Sequence, residues 1–150
     1  MKLREFFTTE AVSLNLSAAS KDEVLEELAE LLDLDQKSKG VLVKTLKRRE
    51  NLGSTGIGRG IAIPHCRSLV VNRLRLAYGR KPGGLDFSAI DGAPVHNFFL
   101  IVAPPLEVSN QYLPVLGKIA QFAKDPEVPQ QLLALDTPAA FLDLLSRKAP

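Results

Sequence analysis

The chain has 150 residues and a mass of 16.4 kDa, the size of one compact domain with one hydrophobic core. Hydrophobic residues make up 45% and charged residues 24%, so the chain is globular rather than disordered, and a formal charge of +2 excludes the strong basic field of a nucleic-acid binder. One cysteine, Cys66, excludes an internal disulfide framework, and with two histidines, His65 and His96, there are too few soft ligands for a structural zinc site. The N-terminus carries charges inside its only apolar stretch, and no run of about 18 apolar residues suggests a membrane span. With no export signal and a free thiol, the expected compartment is the cytoplasm, and no membrane insertion is expected.

In chain order, Val12, Leu14 and Leu16 alternate with polar residues and predict a short strand with one buried face. Ser20-Lys21-Asp22-Glu23 is a capping box, and Val24, Leu25, Leu28, Leu31 and Leu32 continue it as an amphipathic helix. A second helix is predicted to start near Ser38 and end on Lys47-Arg48-Arg49, cations suited to the negative end of the helix dipole. The glycine-rich segment 53–60 leads into an apolar strand at 61–65 that Pro64 stops. Further strands are predicted over 74–78 and 95–103, the latter apolar enough to be central and covered on both faces. Pro82-Gly83-Gly84 and Asp91-Gly92 read as turns between them. Helices are predicted over 111–124 and 129–135, with a last one capped by Thr137 and running to about Lys148. Strands in the middle with helices on either side predict an α/β fold, a single domain with a mixed central sheet flanked by helices.

Four glycines within residues 53–60 permit positive φ angles and convergent backbone N–H groups, which suits either an anion nest or a flexible surface loop. Two named phosphate motifs fail on inspection. Arg59-Gly60 stands where a P-loop needs Lys-Ser/Thr, and Ile61 stands where a dinucleotide fingerprint needs its third glycine. What remains is a loop that delivers His65 to the end of a strand. A neutral imidazole there is a competent nucleophile, though a structural histidine fits as well. Arg49, Arg59 and Arg67 are candidate cations for a transferred phosphoryl group, with Ser54 and Thr55 as hydroxyl donors.

The seventeen residues Arg49 to His65, RENLGSTGIGRGIAIPH, closely resemble the active-site signature of the enzyme IIA domains of the bacterial phosphotransferase system. The likeness is to the fructose/mannitol group and its nitrogen-regulatory branch, and it extends over residues 1–150 as one type-2 IIA domain. The resemblance implies that His65 accepts the phosphoryl group and that Arg49 neutralises its charge; the hydroxyls of Ser54 and Thr55 and the backbone at Gly56 and Gly58 are the expected phosphate-binding groups. It implies an HPr-like phosphohistidine protein as donor, then a IIB domain or regulatory protein targets as partners, with no metal, no other cofactor and no nucleic acid. One departure stands out: Tyr112 occupies the place of the family's second active-site histidine, which implies slower transfer with the nucleophile intact. A regulatory binding module with weak or vestigial phosphotransfer, and a sugar-specific IIA component, are the alternatives. A small hydrolase using Cys66 or His65 lacks a base-and-orienter set. Cys66 and His96 are expected to be passive, Cys66 because neighbouring side chains on extended backbone point apart. Arg67 is expected to be a solvated surface charge, and Val115, Ile119 and Phe122 a core stripe.

Overall fold

The computed structural model describes residues 2–107 and 110–150; Val108 and Ser109, just ahead of Tyr112, lie outside them. Two 3₁₀ turns, Leu3–Phe6 and Thr9–Ala11, precede strand β1 (Val12–Ser13). Helices α1 (Lys21–Glu30) and α2 (Gln36–Leu52) follow, then β2 (Gly56–Gly58), β3 (Ile61–Ala62) and β4 (His65–Arg67). The long strands β5 (Arg75–Leu85) and β6 (Val95–Ala103) come next, and α3 (Tyr112–Lys124), α4 (Val128–Leu133) and α5 (Pro138–Lys148) close the chain.

Among the described residues, six strands form one mixed sheet in the order β1-β5-β6-β3-β2, with β4 also paired to β6. β5 runs antiparallel to β6, whereas β3 and β4 run parallel to it. The expected strand at 95–103 is thus central, and its residues alternate between two cores. Phe99, Ile101 and Ala103 face Val115, Ile119 and Phe122 of α3 and Phe141 and Leu144 of α5. Phe98, Leu100 and Val102 face Val24, Leu25 and Leu28 of α1 and Leu42 and Leu46 of α2. Helices therefore cover both faces, as the mixed α/β reading expects. Each such buried Val, Leu, Ile or Phe side chain contributes about 1.5–3 kcal/mol, and two filled faces explain why β6 shows no polar alternation. No helix among the described residues is long and apolar enough to cross a membrane.

The local signals hold at the helix starts. Ser20 Oγ accepts from Glu23 N at 3.2 Å, and Thr137 Oγ1 accepts from Ala140 N at 3.1 Å. Helix α2 begins two residues before Ser38 because Asp35 is its cap, its carboxylate accepting from Ser38 N at 2.8 Å. Two strand expectations and one turn expectation are corrected. The strand expected through Leu16 keeps its regular ladder only over Val12 and Ser13; beyond them the Leu14 carbonyl accepts from the Arg80 side chain, and Leu16 N donates to the Arg80 carbonyl at 2.8 Å. The strand expected over 61–65 is broken by Pro64 into β3 and β4. Pro82-Gly83-Gly84 lies within β5 rather than in a turn, at the irregular stretch between Arg80 and Leu85 where the ladder is interrupted. There the missing proline N–H costs no ladder bond. His96 packs on this stretch: a Cβ on Gly84 (φ +69°) would lie 2.7 Å from His96 Cε1, and His96 Nδ1 lies 3.1 Å from the Pro82 carbonyl. That is the passive role expected for it.

Arg80 is a buried cation that no carboxylate pairs with among the described residues. Its guanidinium donates instead to the carbonyls of Leu14, Leu132, Leu133 and Leu135 at 2.7–3.2 Å, closing the C-terminal end of α4. Charge-assisted bonds and the helix dipole offset its desolvation. Cys66, on the α1/α2 side of the sheet, is also buried, and burial pushes its thiol from 9.0 up to about 12.

Two outcomes follow from these buried groups. Arg80→Met removes the bonds to four carbonyls, of which that of Leu132 still accepts from Leu135 N at 3.3 Å, and should cost about 3 kcal/mol, a fall in Tm of roughly 6–12 °C by calorimetry; an unchanged Tm would show the bonds to be dispensable. The Cys66 thiol has a folded value above its unfolded one, so its contribution is fully present below pH 9.0 and is lost as pH rises toward about 12. Denaturant titrations over that window should show falling stability, and Cys66→Ala should flatten the fall.

Candidate functional site

The last turn of α2 sends two neighbouring side chains in opposite directions. Glu50 turns inward and is buried, its carboxylate accepting from Thr55 N at 2.9 Å and from Thr55 Oγ1 at 2.5 Å. Arg49 turns outward and donates to the Gly53 carbonyl at 2.9 Å, where a cation suits the end of a helix. The glycine-rich segment is then tied down bond by bond. Ser54 Oγ donates to the Phe87 carbonyl at 2.7 Å and accepts from Gly56 N at 3.0 Å. A Cβ on Gly56 would sit 2.8 Å from Ala89 Cα, so only glycine fits. Gly58, Arg59 and Gly60 all have positive φ and turn β2 back onto β3.

That turn does gather an anion, and the anion is the protein's own. Asp91 Oδ2 accepts from Arg59 N at 3.1 Å and Oδ1 accepts from Ala93 N at 3.0 Å. The Ala93 and Arg59 amides hold the Asp91 carboxyl below the usual carboxylate range. The Arg59 side chain reaches the Lys124 carbonyl at the end of α3.

β4 carries the candidate residues His65 and Arg67. His65 is half-buried, and its Nδ1 lies 2.6 Å from the Ile63 carbonyl oxygen. A carbonyl can only accept, so in the neutral ring Nδ1 bears the proton and Nε2 the lone pair. Alternation along the strand puts His65 and Arg67 on one face and Cys66 on the other, in the α1/α2 core. On the His65 face stands Tyr112, the first residue of α3, with ring centroids 6.3 Å apart. The Arg67 guanidinium lies over the Tyr112 ring, 4.6 Å from its centroid, and donates to the Pro104 carbonyl at 3.0 Å. The Glu107 carboxylate accepts from Gln111 N and Tyr112 N at 2.9 and 3.0 Å and so fixes the start of α3. Burial pushes the Tyr112 phenol up, with the neighbouring Cys66 adding to it and Arg67 and Arg49 opposing, so it stands as a neutral hydroxyl.

A cleft of about 430 Å³ brings together Arg48, Arg49 and Leu52 from α2, His65 and Arg67 from β4, and Tyr112 from α3. Of the residues singled out in the sequence, His65, Arg49 and Tyr112 meet here. Ser54, Thr55, Gly56 and Gly58 do not line the cleft; their hydrogen bonds and close contacts hold the loop that leads to it. Arg67 is exposed, as expected, but it is not isolated: it lies over the Tyr112 ring and donates to the Pro104 carbonyl, and its period-two spacing from His65 was the signal that places it. Arg48 and Glu50 were missed: the basic run 47–49 read as dipole-matching cations, and an acid beside a helix C-terminus gave no local reason to be there.

The family model described as "Phosphoenolpyruvate-dependent sugar phosphotransferase system, EIIA 2" matches residues 5–148. The fructose-specific EIIABC component of Bacillus subtilis is 32% identical over 149 residues, which are 98% of this chain and 23% of that protein, so the chain spans less than a quarter of it. The nitrogen regulatory protein of Pseudomonas aeruginosa is also 32% identical, over 97% of this chain and 95% of its own length. Among solved structures, nitrogen regulatory protein IIA-Ntr from Neisseria meningitidis has a TM-score of 0.86 at 29% identity, covering 95% of this chain and 98% of its own. With the family model matching residues 5–148 and the fold aligned over 95% of its length, the chain belongs to the EIIA type-2 family of the phosphoenolpyruvate-dependent sugar phosphotransferase system.

Proposed function

We propose that this chain, as one domain over residues 1–150, is a cytoplasmic phosphoryl carrier in which His65 accepts the phosphoryl group of an HPr-like phosphohistidine protein. The observation that carries the reading is the 2.6 Å contact of His65 Nδ1 with the Ile63 carbonyl, which leaves Nε2 as a lone-pair nucleophile at an arginine-lined cleft. The Nε2 lone pair forms the new N–P bond while the donor's N–P bond breaks and its electron pair returns to the donor imidazole. The Nδ1 proton stays between His65 and Ile63, so the ring becomes positively charged beside a dianionic phosphoryl group. The transfer calls for positioning and charge stabilisation rather than further covalent steps.

Arg49 is the charge-stabilising group in this reading, its other N–H donors remaining available beyond the one spent on Gly53. Tyr112 supplies a neutral O–H donor to the phosphoryl oxygens. Ser54, Thr55, Gly56 and Gly58 act one step back, by fixing the loop between Arg49 and His65. The nitrogen regulatory relatives support onward action on regulatory protein targets, and the sugar-component relatives support handing the group to a IIB domain.

Incubation with phosphoenolpyruvate, enzyme I and the carrier should place acid-labile phosphate on His65, read by intact-protein mass spectrometry. His65→Ala should take none, and Arg49→Gln should slow the transfer by about 10–100-fold. An unphosphorylated chain beside a IIA control that accepts phosphate would sink the reading. Tyr112→Phe removes one neutral hydrogen bond and should slow transfer by only about 3–10-fold; a loss as large as that of Arg49→Gln would mean that Tyr112 does more than donate.

A further inference from the structure

A phosphoryl group on His65 Nε2 brings nearly two negative charges into the cleft. Arg49 is one fixed cation at hand. Tyr112 faces the His65 ring but stands as a phenol, and no imidazole shares the cleft with His65. Arg67 is built differently from an ordinary surface arginine. It shares the His65 face of β4, two residues along the strand, where side chains project side by side. Its guanidinium is held from two sides, by the Tyr112 ring at 4.6 Å and the Pro104 carbonyl at 3.0 Å. No carboxylate pairs with it among the described residues. Of its five N–H donors only one is spent, on Pro104. Stacking and a single bond fix the group, yet leave it without an ion pair among the described residues, which is the condition of a side chain that can take an anion.

We propose that Arg67 is the second phosphoryl-binding cation of the His65 site, and that the Tyr112 ring is the platform that holds it there. This rests on the phosphoryl-carrier reading and adds to it. Tyr112 then has two uses, its hydroxyl toward the phosphoryl oxygens and its face toward Arg67. The arrangement differs chemically from an imidazole in the same place. A guanidinium keeps its charge at every physiological pH, whereas an imidazolium loses it near pH 6.5. Stabilisation of the phosphoryl group by Arg67 is therefore independent of pH over the range in which a histidine would switch off.

A small-molecule donor tests this without any partner protein. In phosphoramidate, His65 Nε2 attacks phosphorus, the P–N bond breaks, and ammonia leaves with the electron pair. The rate of phosphohistidine formation on the full chain is followed by phosphorus NMR from pH 7 to 9, with His65→Ala as the blank. Arg67→Gln and Arg67→Met should each be slowed by about 10–100-fold, and Arg67→Lys should stay within about threefold of the parent chain. The ratio of parent to Arg67→Gln rates should be constant across the pH range, because the donor's own ionisation cancels. Adding Tyr112→His to Arg67→Gln should recover rate at the acid end only. Thermal unfolding of each variant checks that the fold is kept. If Arg67→Met and Arg67→Gln keep the parent rate while His65→Ala is inert, His65 is the acceptor and the role of Arg67 is overturned. If Arg67→Met alone keeps it, Arg67 serves by packing and the proposal likewise falls. If the parent chain takes no phosphoryl group on His65, both this proposal and the carrier reading fail.

Discussion

The geometry of the site depends on how the chain passes Pro64 while staying paired to the central strand. β3 runs beside β6 at Asn97 and Phe98, Pro64 interrupts, and β4 resumes the pairing at Ile101 to Ala103. The Pro64 carbonyl accepts from Ile101 N at 3.0 Å, and Ile63 N donates to the Thr55 carbonyl at 3.0 Å, so the interruption is anchored on both sides. Because β6 is packed on both faces, it cannot shift its register without exposing one core or the other. His65 inherits that rigidity although it lies at the mouth of a cleft. The Ile63 oxygen is within reach of Nδ1 for the same reason, and with it the protonation pattern of the ring.

Much of the architecture was legible because its causes are local. Ser20 and Thr137 satisfy the first amides of their own helices, and the apolar run of β6 announces a strand with no solvent face. The glycine-rich loop shows where local reading stops. Positive φ at Gly58 and Gly60 and convergent amides suggest an anion, and an anion is indeed bound. It is Asp91, more than thirty residues on, and nothing within residues 53–60 says that the partner is internal. Pro82-Gly83-Gly84 has the composition of a turn, yet it lies in β5, where His96 and the irregular pairing with β6 accommodate it.

The site divides in the same way. His65 was visible from its place after a strand-ending proline, and Arg49 from the signature around it. Arg67 was a candidate cation from its place near His65, but what holds it needed contacts across the fold, because its partners Tyr112 and Pro104 come from another part of the chain. Glu50 needed one across a helix end, where a buried carboxylate is justified only by the two Thr55 donors it meets. Arg80 is the extreme case. Its four carbonyl partners come from opposite ends of the sequence, and composition alone would place an arginine in water.

The acceptor that sets the His65 tautomer is a main-chain oxygen, and no substitution can delete a main-chain oxygen. A side-chain acceptor in its place could be lost by a single base change; this one can be displaced only by altering the path of the chain. The genetic vulnerability of the ring's proton therefore moves away from Ile63, whose side chain is free to vary within the volume of the core, and onto Pro64 and the residues of β6 that hold the path. Tolerance at one position and intolerance at the next is the mutational pattern that such an arrangement imposes.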